Sequence, residues 1–403
     1  MVTATIPLRE PDPDQGQGPK PVHWWVLFVA FLRLGCTAFG GPAMVVYIRD
    51  LAVVRRRWLS PETFKGGVAL CQAIPGATAM QTAGFVGLAA GGGPGAVAAF
   101  TGFGLPAFIL MTALSAVYAR AGVVPAVVSS FHGLQAVVVA LVLNAAVAFA
   151  ATTVKSWRHA LLALLAAVVI GSGLSPILAV VLAGLAATVL LRSTPAEPGS
   201  AAPAARRSPS SGRAPALLAA LLAASLIALR LLDSRFFSLA WVMVRVDLFA
   251  FGGGFASVPL MLHEVVTARG WMDARTFMDG IALGQVTPGP IVITATFVGY
   301  RLAGLVGAMI ATAAIFAPSL IILLATAPLL GWLGTSRALT AALSGVLCSF
   351  VGLLFAVGAT LAVAVSWVPI GALVAAAAFA ALRLKVDVLW VVAAAAILGA
   401  LLL

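Results

Sequence analysis

The sequence predicts an all-α polytopic membrane protein built from two inverted-topology repeats, with broken (half-helix) segments meeting at mid-membrane. Three observations predict it. Of 403 residues, 62% are hydrophobic and 9% charged, whereas a soluble chain carries about 25% charged residues; so few charges cannot cover a water-facing surface. The apolar runs are about 20 residues long without period-2 alternation, which means helical spans and excludes an outer-membrane barrel. The first half of the chain returns in the second at a nearly constant offset.

Taken in order, residues 1–22 are polar, with Pro7, Pro11, Pro13, Pro19 and Pro21, and read as a disordered tail rather than a signal peptide. The first repeat half spans 23–192. A run over 23–57 is broken by Phe39-Gly40-Gly41, a second over 61–90 by Pro75-Gly76, and four apolar segments follow at 94–118, 126–153, 160–172 and 175–191. Residues 193–215, rich in Pro, Ser, Ala and Arg, form a flexible linker that Arg192, Arg206, Arg207 and Arg213 place in the cytoplasm. The rest, 216–403, holds a connecting helix (215–232) and the second half: broken runs at 237–265 and 274–300, then 303–328, 340–364, 369–382 and 386–403.

The repeat is read residue by residue. Arg33 and Phe39-Gly40-Gly41 return as Arg245 and Phe251-Gly252-Gly253, 212 residues later. Trp58 and Phe64 return as Trp271 and Phe277, 213 residues later. Ala69-Leu70-Cys71-Gln72 with Pro75-Gly76 returns as Ala282-Leu283-Gly284-Gln285 with Pro288-Gly289, Phe85-Val86-Gly87 as Phe297-Val298-Gly299, and Pro106 as Pro318.

The connecting helix adds one crossing and turns the second half over. Loop charge agrees: Lys155 and Arg158 face Ser366-Trp367 at the matching loop, while uncharged Gly171-Ser172-Gly173 faces Arg383 and Lys385. Arg120 and Arg301 do not fit this assignment. The pattern puts N-terminus and linker inside and C-terminus outside. It also requires each broken segment to enter and leave on one side, as a hairpin; a continuous kinked span in each half is the alternative. The net charge of +12, from 24 basic and 12 acidic residues, sits at segment ends and marks cytoplasmic loops, not a nucleic-acid surface. Cys36, Cys71 and Cys348 lie in apolar stretches without metal-ligand spacing and are expected buried and reduced.

Irregular backbone survives in a membrane only where it is buried or lines a cavity. Matched breaks in two halves are the strongest pointer to a transporter's binding site. The breaks are Phe39-Gly40-Gly41-Pro42, Pro75-Gly76, Phe251-Gly252-Gly253-Gly254 and Pro288-Gly289-Pro290. The helix starting after each would offer free N–H groups and partial positive charge to an anion; the plainer reading is that the glycines only allow close helix packing. Arg33 and Arg245 sit six residues before their Phe-Gly-Gly, at a depth where a charge needs a partner. They are expected to face a dianion across a pseudo-twofold axis, or else to snorkel. Gln72 and Gln285 could donate to an oxyanion or hold helices together. Asp247 and Asp279 are the acids placed for proton coupling, or for pairing with a nearby arginine. His132 and His159 carry no assignment. With no HExxH, no clustered histidines and no paired intramembrane acids in repeat register, an enzyme is not expected, nor a metal or cofactor.

The motifs FGGP…RRRWLS…F…ALCQAIPG and FGGGFASVPLM…W…F…GIALGQVTPGP resemble the chromate ion transporter family in its long, two-domain form, across nearly the whole chain outside tail and linker. The resemblance implies a multi-pass secondary transporter of a bacterial inner membrane that exports chromate, a sulfate-like dianion, on a proton or potential gradient. Pro75-Gly76-Ala77 departs from the family's usual Pro-Gly-Pro, and Ala43-Met44-Val45-Val46 is less polar than expected there. The residues alone reach an oxyanion transporter, for chromate, sulfate or another anion, and leave a homodimer open.

Overall fold

The computed structural model describes residues 21–39, 43–121, 125–191, 213–329 and 337–402. Most of the expected tail, nearly all of the linker, and Gly40, Gly41 and Pro42 lie outside the described residues. The described residues form helices and no strand.

Each half opens with two helical hairpins. In half one, α1 (Trp24–Gly35) is followed by α2 (Ala43–Arg49), which runs on as a π-helical turn to Arg55. The Phe31 ring stacks on Trp58 with centroids 6.4 Å apart, so the chain has folded back along α1. A second hairpin joins α3 (Pro61–Ala73) to α4 (Thr78–Ala121). Gly67 of α3 lies so close to Phe85 of α4 that a Cβ would sit 2.1 Å from the ring. Ser60 caps α3 by accepting the Thr63 N–H at 3.2 Å, with Pro61 at the first helical position, where no N–H is needed.

Half two repeats this. After the connecting helix α8 (Arg213–Leu232) come α9 (Ser234–Phe249), a 3-10 turn (Gly254–Ala256), α10 (Ser257–Leu262) and a π-helical turn (His263–Ala268). Arg245 on the outgoing limb bonds Glu264 on the return limb. The next hairpin runs from α11 (Ala274–Val286), capped by Asp273 on the Thr276 N–H, through a 3-10 turn (Ile291–Ile293) into α12 (Thr294–Thr326), with Gly280 against Phe297. Among the described residues the two limbs of each broken segment therefore pack against each other. Helix α4 breaks at Gly91-Gly92 and α12 at Ala303-Gly304, separating the segments expected at 61–90 and 94–118, and at 274–300 and 303–328.

The remaining helices are α5 (Pro125–Thr153), α6 (Trp157–Gly171) and α7 (Pro176–Leu190) in half one. Half two has α13 (Arg337–Ala364), α14 (Pro369–Arg383) and α15 (Val388–Leu402). Each of the four short ones has 15 residues, or about 22 Å, less than the roughly 30 Å of a bilayer core. They work in pairs, and the pairs are exchanged: α6 and α7 pack on α13, and α14 and α15 pack on α5. Gly133 lies against Ala395 and Gly399, and Gly345 against Ala183 and Ala187.

Among the described residues five helical stretches are long and apolar enough to cross a membrane. Pro215 is the buried residue of α8, whose Leu217, Leu221, Ile227 and Leu231 are exposed. Trp24, Trp25, Trp157 and Trp390 are also exposed, as interfacial anchors are. The chain is a multi-pass membrane protein. Cys71 and Cys348 are buried as expected, but Cys36 is exposed. An apolar run marks contact with lipid as well as with protein, so it does not by itself bury a side chain.

Candidate functional site

The breaks cross one another between halves. The Gly76 N–H donates to Ala250 O at 2.8 Å, and the Gly289 N–H to Ala38 O at 3.0 Å. Both glycines have φ +117°, a backbone open to glycine and costly for other residues. Each half's second break is thus tied to the other half's first.

In front of this crossing lies a cavity of about 1700 Å³. The residues that begin a helix after each break line it: Met44–Val46, Ala77–Ala79, Gly254–Phe255 and Pro290–Ile291. First-turn N–H groups have no intrahelical acceptor and carry the positive end of the helix dipole. Gln72, near the end of α3, and Gln285, near the end of α11, share the wall, as do Gly252 and Gly253. The Gln285 Nε2 is buried without a hydrogen-bond partner among the described residues, a costly state for a donor. Asn144, Phe149 and Thr152 of α5, and Thr340 and Ser344 of α13, extend the wall towards Lys155, Arg158 and His159. Arg158 donates to Leu190 O at 2.9 Å, and Ser156 Oγ meets His159 Nδ1 at 2.7 Å. Among the described residues no carboxylate lines the cavity. Amides, hydroxyls, helix starts and two cations suit an anion. No group of His, Cys, Asp or Glu among the described residues is arranged to hold a metal.

The sequence-derived site residues divide by position. Gln72, Gln285, Gly252, Gly253 and Gly254 line the cavity. Gly76 and Gly289 make the crossing, each preceded by its proline, Pro75 and Pro288, and none of the four lines the cavity. The two arginines are elsewhere. Arg33 is exposed in the last turn of α1. Arg245 holds Glu264 at 2.6 Å, and Glu264 also binds Arg269, whose guanidinium lies over Trp271. In the matching π-helical turn of half one Leu51 stands where half two has Glu264, because the Trp58 N–H bonds Ala52 O as the Trp271 N–H bonds Val265 O. Of the two acids, Asp247 accepts from Ser319 Oγ, and Asp279 accepts from Tyr118 OH at 2.7 Å and Gln135 Nε2 at 2.8 Å. Neither pairs with an arginine among the described residues.

Sequence reasoning missed Lys155 and Arg158 as wall residues, having read them only as markers of sidedness. Their available signal was the absence of charge at the matching Ser366-Trp367. Thr78 and Asn144 gave no signal, since hydroxyls and amides are common inside helix bundles.

Comparison with known proteins supplies the wider context. A family model described as chromate transporter matches residues 25–188 and again 237–400, so one domain occurs twice. An uncharacterized transporter of Methanocaldococcus jannaschii is 40% identical over 94% of this chain and 94% of its own length. The chromate transport protein of Pseudomonas aeruginosa is 32% identical over 88% of this chain and 84% of its own. That of Cupriavidus metallidurans is 32% identical over 81% and 79% respectively. No solved structure matches.

Proposed function

We propose, from the premise that this chain belongs to the chromate transporter family, that it is a secondary transporter exporting chromate across the plasma membrane. The observation that carries this reading is the convergence of four helix starts on one cavity that, among the described residues, lacks carboxylates and holds a Gln285 Nε2 without a partner. Chromate presents four oxygens and two charges. First-turn N–H groups and the Gln72 and Gln285 amides can donate to the oxygens, with Lys155 and Arg158 drawing the anion in from the cytoplasmic side. Arg33 and Arg245 act at one remove in this conformation, Arg245 by closing its hairpin through Glu264. The family relatives named for chromate support the choice of substrate. Chromate and sulfate share shape and charge, so sulfate is the second reading.

Export of a dianion from an inside-negative compartment runs with the potential, at about 4.6 kcal/mol per 100 mV for two charges. The potential can therefore drive it, alone or with a proton gradient. In this proposal N-terminus and linker are cytoplasmic, the C-terminus is outside, and the halves are inverted repeats. Two measurements test it. Purified protein should melt higher with chromate or sulfate and unchanged with the monoanion perchlorate. Inverted vesicles should take up labelled chromate, competed by sulfate and reduced by an uncoupler. Equal stabilisation by chromate and perchlorate refutes a dianion site.

A further inference from the structure

Asp247 lies in the last turn of α9, three residues before the Ala250 carbonyl that receives the Gly76 N–H. It is 1% exposed. Its two carboxylate oxygens face Ser319 Oγ at 2.8 and 2.9 Å. The same Oγ accepts the Ala77 N–H at 3.1 Å, and Ala77 is on the cavity wall. Two hydrogen bonds therefore connect a buried carboxyl to the start of α4, where the anion would sit.

Helix α9 packs against α8, α10 and α12; the charged and titratable groups of these elements are Arg235 and Arg245 on α9 itself, Arg213 and Arg230 on α8, His263, Glu264 and Arg269 on the return limb after α10, and Tyr300 and Arg301 on α12. Among the described residues none forms an ion pair with it. Arg245 and Arg269 go to Glu264, Arg230 lies over Phe237 and Arg301 over Tyr118. A carboxylate withdrawn from water beside one neutral hydroxyl is costly, and such a group takes a proton instead. The site is not duplicated. Gly35 and Ala107, whose side chains can bond neither a proton nor a hydroxyl, occupy the half-one positions matching Asp247 and Ser319.

We infer that Asp247 is a proton-binding site linked to the cavity, holding one proton more tightly when a dianion is bound, through Ser319 and the Ala77 amide. This rests on the reading of the cavity as an oxyanion site. Two negative charges placed against the start of α4 favour the neutral carboxyl behind it, and by reciprocity the protonated protein binds the anion more tightly. One linked proton changes affinity by at most about tenfold per pH unit.

The test uses the full-length purified protein and sulfate, which stays a dianion throughout. Dissociation constants are measured from about pH 6 to about pH 9, a range that brackets buried carboxyls. Wild-type affinity should fall as pH rises, by up to about tenfold per unit at the steepest point. Asp247→Asn should be flat and bind more tightly than wild type at the alkaline end. Asp279→Asn, whose carboxyl bonds Tyr118 and Gln135 and not a group of the crossing, should keep the wild-type slope. In weakly buffered alkaline solution an indicator dye should report proton uptake when sulfate is added to wild type. That reading stands even if Asp247→Asn fails to fold. A slope that persists in Asp247→Asn overturns the inference, as does a flat wild-type profile or an absence of proton uptake at every pH. A slope that moves to Asp279→Asn overturns it too. A wild type that binds no sulfate at any pH overturns the anion site itself.

Discussion

Replacing the glycines of the breaks by alanine should damage the protein in a graded order set by what each new Cβ meets. At Gly253, φ is +103° and the nearest atom is Thr78 Oγ1 at 3.5 Å, an ordinary contact. Only backbone strain applies there, about 1–2 kcal/mol. At Gly289 the same strain is joined by Ala107 Cβ at 2.7 Å, an overpacking worth about 1–3 kcal/mol. At Gly76 the Cβ would lie 2.0 Å from Ser319 Oγ and 2.8 Å from Gln81 Nε2. That displaces the hydroxyl from both the Ala77 N–H and Asp247, adding lost buried hydrogen bonds at about 1–3 kcal/mol. Gly171 has nothing within 4 Å and serves as a neutral control. Thermal denaturation of purified protein at one scan rate should rank melting points as Gly171→Ala, Gly253→Ala, Gly289→Ala, Gly76→Ala, from highest to lowest, with at most roughly 2–4 °C per kcal/mol. Adding Ala107→Gly to Gly289→Ala removes the clash but leaves the strain. The double-mutant cycle should therefore show a favourable coupling of about 1–3 kcal/mol. A Gly76→Ala protein that melts above Gly253→Ala, or a cycle with no coupling, refutes the crossing as described.

Gln285→Leu should weaken sulfate stabilisation by about 10- to 100-fold in apparent Kd, the range for a hydrogen bond to a charged group, and Gln285→Glu should abolish it by adding like charge. Glu264→Ala leaves Arg245 and Arg269 facing each other, a loss of about 3–5 kcal/mol if the pair is fully dry. It should lower the yield of folded protein, while Glu264→Gln lowers it less. If Glu264→Ala melts like wild type, the triad is ornamental to stability. For sidedness, cysteines placed at Gly173 and Lys385 should label from opposite faces of intact cells, Gly173 from outside; labelling from one face refutes the inverted arrangement.

The breaks at Pro75-Gly76, Gly252-Gly253 and Pro288-Gly289 and the long apolar helices were legible because each leaves a compositional mark: Gly and Pro at the breaks, apolar runs between them. The glycine kinks at Gly92 and Gly304 fell at the expected segment boundaries for that reason. The partner of Arg245 was not legible. Glu264 is remote along the chain, and only the fold-back of the hairpin brings it near. The crossing bonds were invisible because a backbone N–H and a carbonyl carry no residue signature. Arg33 shows the same limit from the other side. Its match to Arg245 in sequence suggested a shared role, yet Leu51 replaces the acid that Arg245 uses, so the two side chains have different fates.

The exchange of short helix pairs between halves bears on how the chain is made. Helices α6 and α7 emerge early, yet the surface that covers them is α13, which ends at Ala364. At about 5–20 residues per second, their apolar inner faces wait many seconds for that partner, held against lipid or an insertion chaperone. Helix α5 waits longer still, for α14 and α15. Synthesis stopped before α13 would leave a first half that is inserted but unassembled and open to proteolysis. The same interlocking means that two halves made as separate chains should find each other in the membrane, because each carries the missing neighbour of the other.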